Sequence, residues 1–245
     1  MKKVVVLIDG QNLYYTLKSM NLQERQIKWD ILLHHLIDEQ SDELIRTYWF
    51  RAAKLLDHYY TTENIKRDYV WKKYRTHTEN FKQQNYDAIP ESVKNDVNQH
   101  CEAVGKWLKD AREKFNQLEY VYDKLSSEYE DIEIVKKGVV KINPYQQTYT
   151  GEKGVDIALA VKMIALSVGQ QCDKIILVSG DYDYAEAINF VKNNMTKVHI
   201  VKLHKGIPPR SRSMSRDLSY LADKIIDLYE EDIRTQFLNK EADLE

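Results

Sequence analysis

Cysteine is scarce in this chain of 245 residues: there are two, Cys101 and Cys172, with no CxxC pair. That excludes a thiolate zinc site and a disulfide framework, and it suits a reducing compartment, so a cytoplasmic location is expected. Histidine offers no substitute, because none of the seven residues pairs with another at metal-ligand spacing. Charge of one sign is also missing. Lys and Arg total 36 against 38 Asp and Glu, a net −2, so a nucleic-acid partner would have to meet a local patch. No apolar run approaches the ~18 residues of a membrane span. The run Val4–Ile8 is too short for a secretory h-region and stops on Asp9. The phosphate-binding GxxxxGK[ST], the nucleophile elbow GxSxG and the dinucleotide GxGxxG are all absent.

What is present is 43% hydrophobic and 30% charged residues, enough for a core in a water-exposed protein. The length fits one large α/β domain, or one domain with an insertion. Val4-Val5-Val6-Leu7-Ile8 and Lys174–Ser179 (KIILVS) are continuous apolar runs, the signature of parallel strands buried on both faces. Further strands are expected at 44–53, 132–135 and 197–203, with helices at 13–20, 29–39, 155–168, 184–192 and 218–229. Strands alternating with helices imply a parallel sheet in a three-layer α/β/α sandwich.

Residues 57–129 break that rhythm. From Val93 to Tyr129 apolar residues recur in alternating steps of three and four, the seam of a long helix of roughly 55 Å. A shorter stripe from Ile65 to Phe81 precedes it. The expectation is a helical hairpin inserted between 1–56 and 130–235, with 236–245 as a tail. Such an arm is a natural surface for a protein partner or for self-association.

Aspartates stand where strands end or helices begin. Asp9 follows VVVLI, Asp156 opens a helix after Gly151-Glu152-Lys153-Gly154, and Asp181 and Asp183 follow KIILVSG. Ligands of open parallel sheets bind outside the carboxyl ends of the strands. Carboxylates gathered there repel one another, and a hard divalent cation relieves the conflict. A plainer reading stands beside this one: an aspartate after a strand often only caps the next helix. Asn12 is open to the same two readings, as helix cap or as contact to a metal-bound water or phosphate. Lys153 is a surface lysine or a phosphate contact.

In combination, VVVLIDGQNLYY at 4–15, GEKGVDIALAVKMI at 151–164 and ILVSGDYDYAEAI at 176–188 resemble the NYN domain family of PIN-like ribonucleases. The resemblance implies a PIN-like fold and Mg²⁺- or Mn²⁺-dependent RNA cleavage. It assigns metal ligation to Asp9, Asp156, Asp181 and Asp183, with Asn12 and Lys153 in the catalytic set. Tyr182 and Tyr184 depart from it, standing where small or apolar residues are common.

RNA contacts are expected from Lys202, Lys205, Arg210, Arg212 and Arg216, a stretch without acidic residues, and from Trp71, which falls off the helix seam. Alternatives are a phosphatase or DNA nuclease using the same carboxylates, and a non-catalytic module working through its helical arm.

Overall fold

A computed structural model describes residues 1–209 and 216–239. In chain order the elements are β1 (Lys2–Asp9), α1 (Gly10–Ser19), α2 (Trp29–His35), β2 (Asp42–Arg51), β3 (Leu55–Leu56), α3 (Thr62–Lys73), α4 (Thr78–Lys82) and α5 (Glu91–Glu128). There follow β4 (Ile132–Lys136), β5 (Val139–Asn143), β6 (Thr148–Lys153), α6 (Val155–Val168), β7 (Lys174–Val178), α7 (Ala185–Asn193), β8 (Lys197–His204), α8 (Arg216–Leu221), β9 (Lys224–Tyr229) and α9 (Glu230–Gln236). The chain forms two compact units: Met1–Ala52, Tyr120–Gly138 and Gly154–Glu245 make the first, and Ala53–Glu119 with Val139–Lys153 the second.

The first unit is built on a six-stranded sheet in the order β4-β2-β1-β7-β8-β9. Every pairing in it is parallel. The two most apolar runs of the sequence, β1 and β7, lie side by side at its centre. Val4 to Ile8 are at most 2% exposed, as strands covered on both faces must be. On one face, Leu13 and Leu17 of α1, Leu32, Leu33 and Leu36 at α2, and Ile233 of α9 close over Ile8, Val178, Val201 and Leu228. Trp49 of β2 points the same way and meets Trp29 edge to face. Its neighbour Tyr48 points the other way, where Lys162 of α6 lies over its ring. There α6 and α7 pack together against β1, β2 and β8. The layers are the expected α/β/α sandwich of a PIN-like fold.

Connections from β1 run to opposite sides, to β2 on one flank and eventually to β7 on the other. The carboxyl ends of β1 and β7 are therefore neighbours, with Ile8 paired to Val178. That is a topological switch point, where open α/β sheets place their ligands.

Three expectations are corrected. The segment 218–229 is not one helix: α8 ends at Leu221, and Lys224–Tyr229 is an edge strand parallel to β8. Its spacing suits either element, and pairing with β8 decides it, helped by Asp223, whose carboxylate accepts the Val198 N–H at 2.7 Å. The helix at 29–39 stops at His35. The supposed tail begins as core, since Phe237 is 1% exposed and Leu238 bridges to Ile27.

The second unit contains more than a helical hairpin. α3 and the first part of α5 supply Ile65, Val104, Leu108 and Ala111 to a core that also takes Leu55 and Ile142 from strands. Val70, Ile89, Val93 and Val97 form another cluster. The strands make a three-stranded sheet, β3-β5-β6, with β3 parallel to β5 and β5 antiparallel to β6. Residues 139–153 thus belong with the insertion, which by compactness begins at Ala53. The sequence hides these strands because VVKIN and TYTGEK are short, half-exposed and rich in polar residues, so no period-two pattern stands out.

Candidate active site

Asp9 is the last residue of β1 and the N-cap of α1, its Oδ1 accepting the Asn12 N–H at 3.0 Å. The capping reading of this residue is therefore correct, and it leaves Oδ2 to the site. Oδ2 accepts the Ser179 hydroxyl at 3.0 Å and the Tyr184 hydroxyl at 3.1 Å. Gly10 follows because nothing larger fits: a Cβ there would stand 2.5 Å from the Phe50 carbonyl and 2.7 Å from Trp49 Nε1. Asn12 reaches across to β7's end, where its Oδ1 accepts the Gly180 N–H at 3.2 Å. Asp181 likewise caps the short turn Tyr182–Tyr184 by accepting the Asp183 N–H at 3.0 Å.

Asp156 arrives from a third element. Gly154 caps α6 at φ 86°, a left-handed conformation costly for other residues. This turn sets Asp156 in the helix's first turn, where the dipole favours a negative charge. The Tyr184 hydroxyl lies 3.3 Å from its Oδ1.

Burial pushes the Asp9 carboxyl up from the usual carboxylate range, against hydrogen bonds from Asn12, Ser179 and Tyr184 that pull it down. Asp156 is also raised, first by burial and then by the charges of Asp9 and Asp181. Burial and the same carboxylates push the Tyr184 phenol far above its ordinary range, so it remains a donor.

Asp9, Asp156 and Asp181 line one cavity of about 370 Å³, together with Asn12 and, along α1, Gln11, Tyr15, Thr16 and Ser19. Lys205, just beyond β8, completes the wall. The following residue, Gly206, donates its N–H to Glu230 at 2.7 Å, which ties this point of the chain to the start of α9.

The other expected residues are placed differently. Asp183 is exposed and does not line the cavity; its charge still raises Asp156. Lys153 ends β6 in the second unit, with an exposed side chain. Lys202 lies within β8, partly buried and outside the cavity lining. Trp71 is 55% exposed on α3 of the second unit, with the Arg75 guanidinium 4.5 Å from its ring centroid. Arg210 and Arg212 fall outside the described residues, and of Arg216 only the backbone is described, at the start of α8.

Sequence reasoning noted Ser179 and Tyr184 without giving either a part in the acidic site, and it passed over the α1 face. Gln11, Tyr15 and Ser19 recur every fourth residue beside Asp9, a spacing that puts them on one side of the helix. Nothing in the string SGDYDY tells that the second tyrosine turns inward.

The oxygen donors of the lining, carboxylates, amides and hydroxyls, suit a hard divalent cation; the lining holds no thiolate and no imidazole, and its one sulfur is the weakly ligating thioether of Met20. Among the described residues no group of three or more His, Cys, Asp or Glu is placed to hold a metal ion. Mg²⁺ is commonly held by one or two carboxylates, with water and substrate phosphate completing the shell. No helix among the described residues is long and apolar enough to cross a membrane.

Comparison with known proteins adds three findings. No curated protein matches the chain. A crystal structure of a Vibrio parahaemolyticus protein of unknown function superposes over 97% of this chain and 96% of its own, with 16% identity and a TM-score of 0.49. That likeness is too slight to bear on function. The NYN domain matches residues 3–230, nearly the whole sequence and all three acidic segments, and the chain therefore belongs to the NYN domain family, a branch of the PIN-like nucleases.

Proposed function

We propose that the protein is a Mg²⁺- or Mn²⁺-dependent endoribonuclease that hydrolyses RNA phosphodiester bonds in this cavity. One observation carries the reading: Asp9, Asp156 and Asp181, from three separate elements, line a single cavity whose wall also carries Lys205. A bound ion would supply Lewis-acid charge and a more acidic water.

Asp9 and Asp156 would hold the ion, with Asp181 beside them in the cavity lining. Asn12 keeps the turns after β1 and β7 together through Gly180. Lys205 takes a non-bridging phosphate oxygen as a point charge. Asp183 acts on Asp156 by its charge rather than as a ligand. Lys153 is carried over as a phosphate contact from the K-G-x-D match alone. On the second unit, Trp71 and Arg75 offer an aromatic face and a cation to an unpaired base.

The test is incubation of total RNA and of single-stranded DNA with Mg²⁺, Mn²⁺ or EDTA, beside an Asp9→Asn/Asp181→Asn double variant. RNA cleavage that needs the ion and both aspartates is expected. Cleavage of DNA alone, or release of inorganic phosphate from monoesters, would move the chain to another phosphoryl-transfer class. Cleavage by the double variant would remove the site assignment.

A further inference from the structure

We propose that Tyr184 is a positioning residue whose hydroxyl holds the Asp9 and Asp156 carboxylates in the mutual arrangement that a divalent cation needs. The inference rests on the reading of this cavity as an ion site and adds to it a residue outside the carboxylate set.

The two carboxylates come from different elements, a strand end and a helix start, and no backbone pairing fixes one against the other. Left alone, like charges at this separation push apart. The Tyr184 oxygen stands 3.1 Å from Asp9 Oδ2 and 3.3 Å from Asp156 Oδ1. One phenol proton facing two acceptors makes a three-centre contact, so both carboxylates are drawn to the same point. The ring is 1% exposed, which locks the oxygen in place. A buried phenol oxygen is tolerated only where it is bonded, and phenylalanine would fill the same volume. The hydroxyl is thus explained by what it bonds. Tyr184 also ends the turn capped by Asp181, so the third carboxylate is referenced to the same short segment.

Groups that orient metal ligands in this way change affinity by about 10- to 100-fold when removed. The experiment is titration of metal-free wild type and Tyr184→Phe with Mn²⁺, following the free ion by electron paramagnetic resonance, with no RNA present. The variant is expected to bind Mn²⁺ about 10- to 100-fold more weakly. Its cleavage should recover towards wild type at saturating Mn²⁺, and its KM for RNA should not change. Identical binding isotherms would reduce Tyr184 to a packing residue and overturn the clamp alone. Failure of wild type to bind Mn²⁺ would overturn the ion site and the clamp together. Should Tyr184→Phe not fold, proton nuclear magnetic resonance decides. Metal-free wild type should show a slowly exchanging phenol proton that moves in Asp156→Asn and on adding Mg²⁺. A phenol proton indifferent to both would refute the clamp.

Discussion

The side-chain oxygen of Asn12 accepts the backbone N–H of Gly180 across 3.2 Å, joining the turn after β1 to the turn after β7. This amide adds to the Ser179 and Tyr184 hydroxyls on Asp9 in tying together two carboxylate-bearing turns remote in sequence. Asn12→Ala removes the acceptor while leaving Asp9 and Asp181 in the chain. A hydrogen bond of this kind contributes about 0.5–1.5 kcal/mol, so the folded state should weaken by that much in urea titration. The loss of RNA cleavage should be larger, on the order of 100-fold, because small misplacements of reacting groups are amplified. Wild-type cleavage rates from Asn12→Ala would show that the turns do not need the tie.

Gly10 is held by close approach rather than by an unusual turn. A Cβ would meet a main-chain carbonyl, that of Phe50, at 2.5 Å, and main chain cannot swing aside as a side chain can. Gly10→Ala is expected to lose about 1–3 kcal/mol, as overpacked cores do, and to displace the adjacent Asp9. The urea midpoint and the cleavage rate should therefore fall together. An unchanged midpoint would contradict the packing argument.

Glu24 is a carboxylate in the core of the first unit, 5% exposed, accepting the Tyr122 hydroxyl at 3.0 Å. Burial pushes its carboxyl from 4.5 up to about 7, despite the Tyr122 bond and the Arg51 charge that oppose the shift. Because the folded value lies above the unfolded one, folding favours the protonated form. The contribution is complete below about pH 4.5 and is lost as pH rises through about 7. Burial also pushes His199 down, to about 4, which weakens the fold as pH falls below 6.5 and makes a reference protein necessary. Between pH 5.5 and pH 8 the wild type should lose about 1–3 kcal/mol more than Glu24→Gln does. Parallel pH profiles for the two proteins would falsify the assignment.

RNA binding should separate into two contributions, measured in Asp181→Asn so that no cleavage intervenes. Lys205→Ala should weaken binding of all sequences and reduce the slope of log K against log salt by about 1, the signature of one lost phosphate contact. Trp71→Ala should cost about 1–3 kcal/mol with the salt slope unchanged, as a lost stacking contact does. Equal binding by Trp71→Ala and its parent would leave that face of α3 without a part in RNA recognition.

The sequence by itself determined the layers and the strand ends at which the acidic segments stand. Runs such as VVVLI and KIILV can be satisfied only by burial on both faces, which requires a parallel sheet under helices, and an aspartate at the end of such a run emerges at the ligand-binding edge. Tertiary structure alone decided which of those aspartates meet. Asp181 faces the cavity while Asp183, two residues on, points to solvent, because one short turn rotates between them. The inward turn of Tyr184 and the reach of Asn12 to Gly180 depend on β1 lying beside β7, a pairing between residues far apart in sequence that no local pattern encodes. The same reason hid β3, β5, β6 and β9: their residues are ambiguous alone and become strands through the partners that accept their hydrogen bonds.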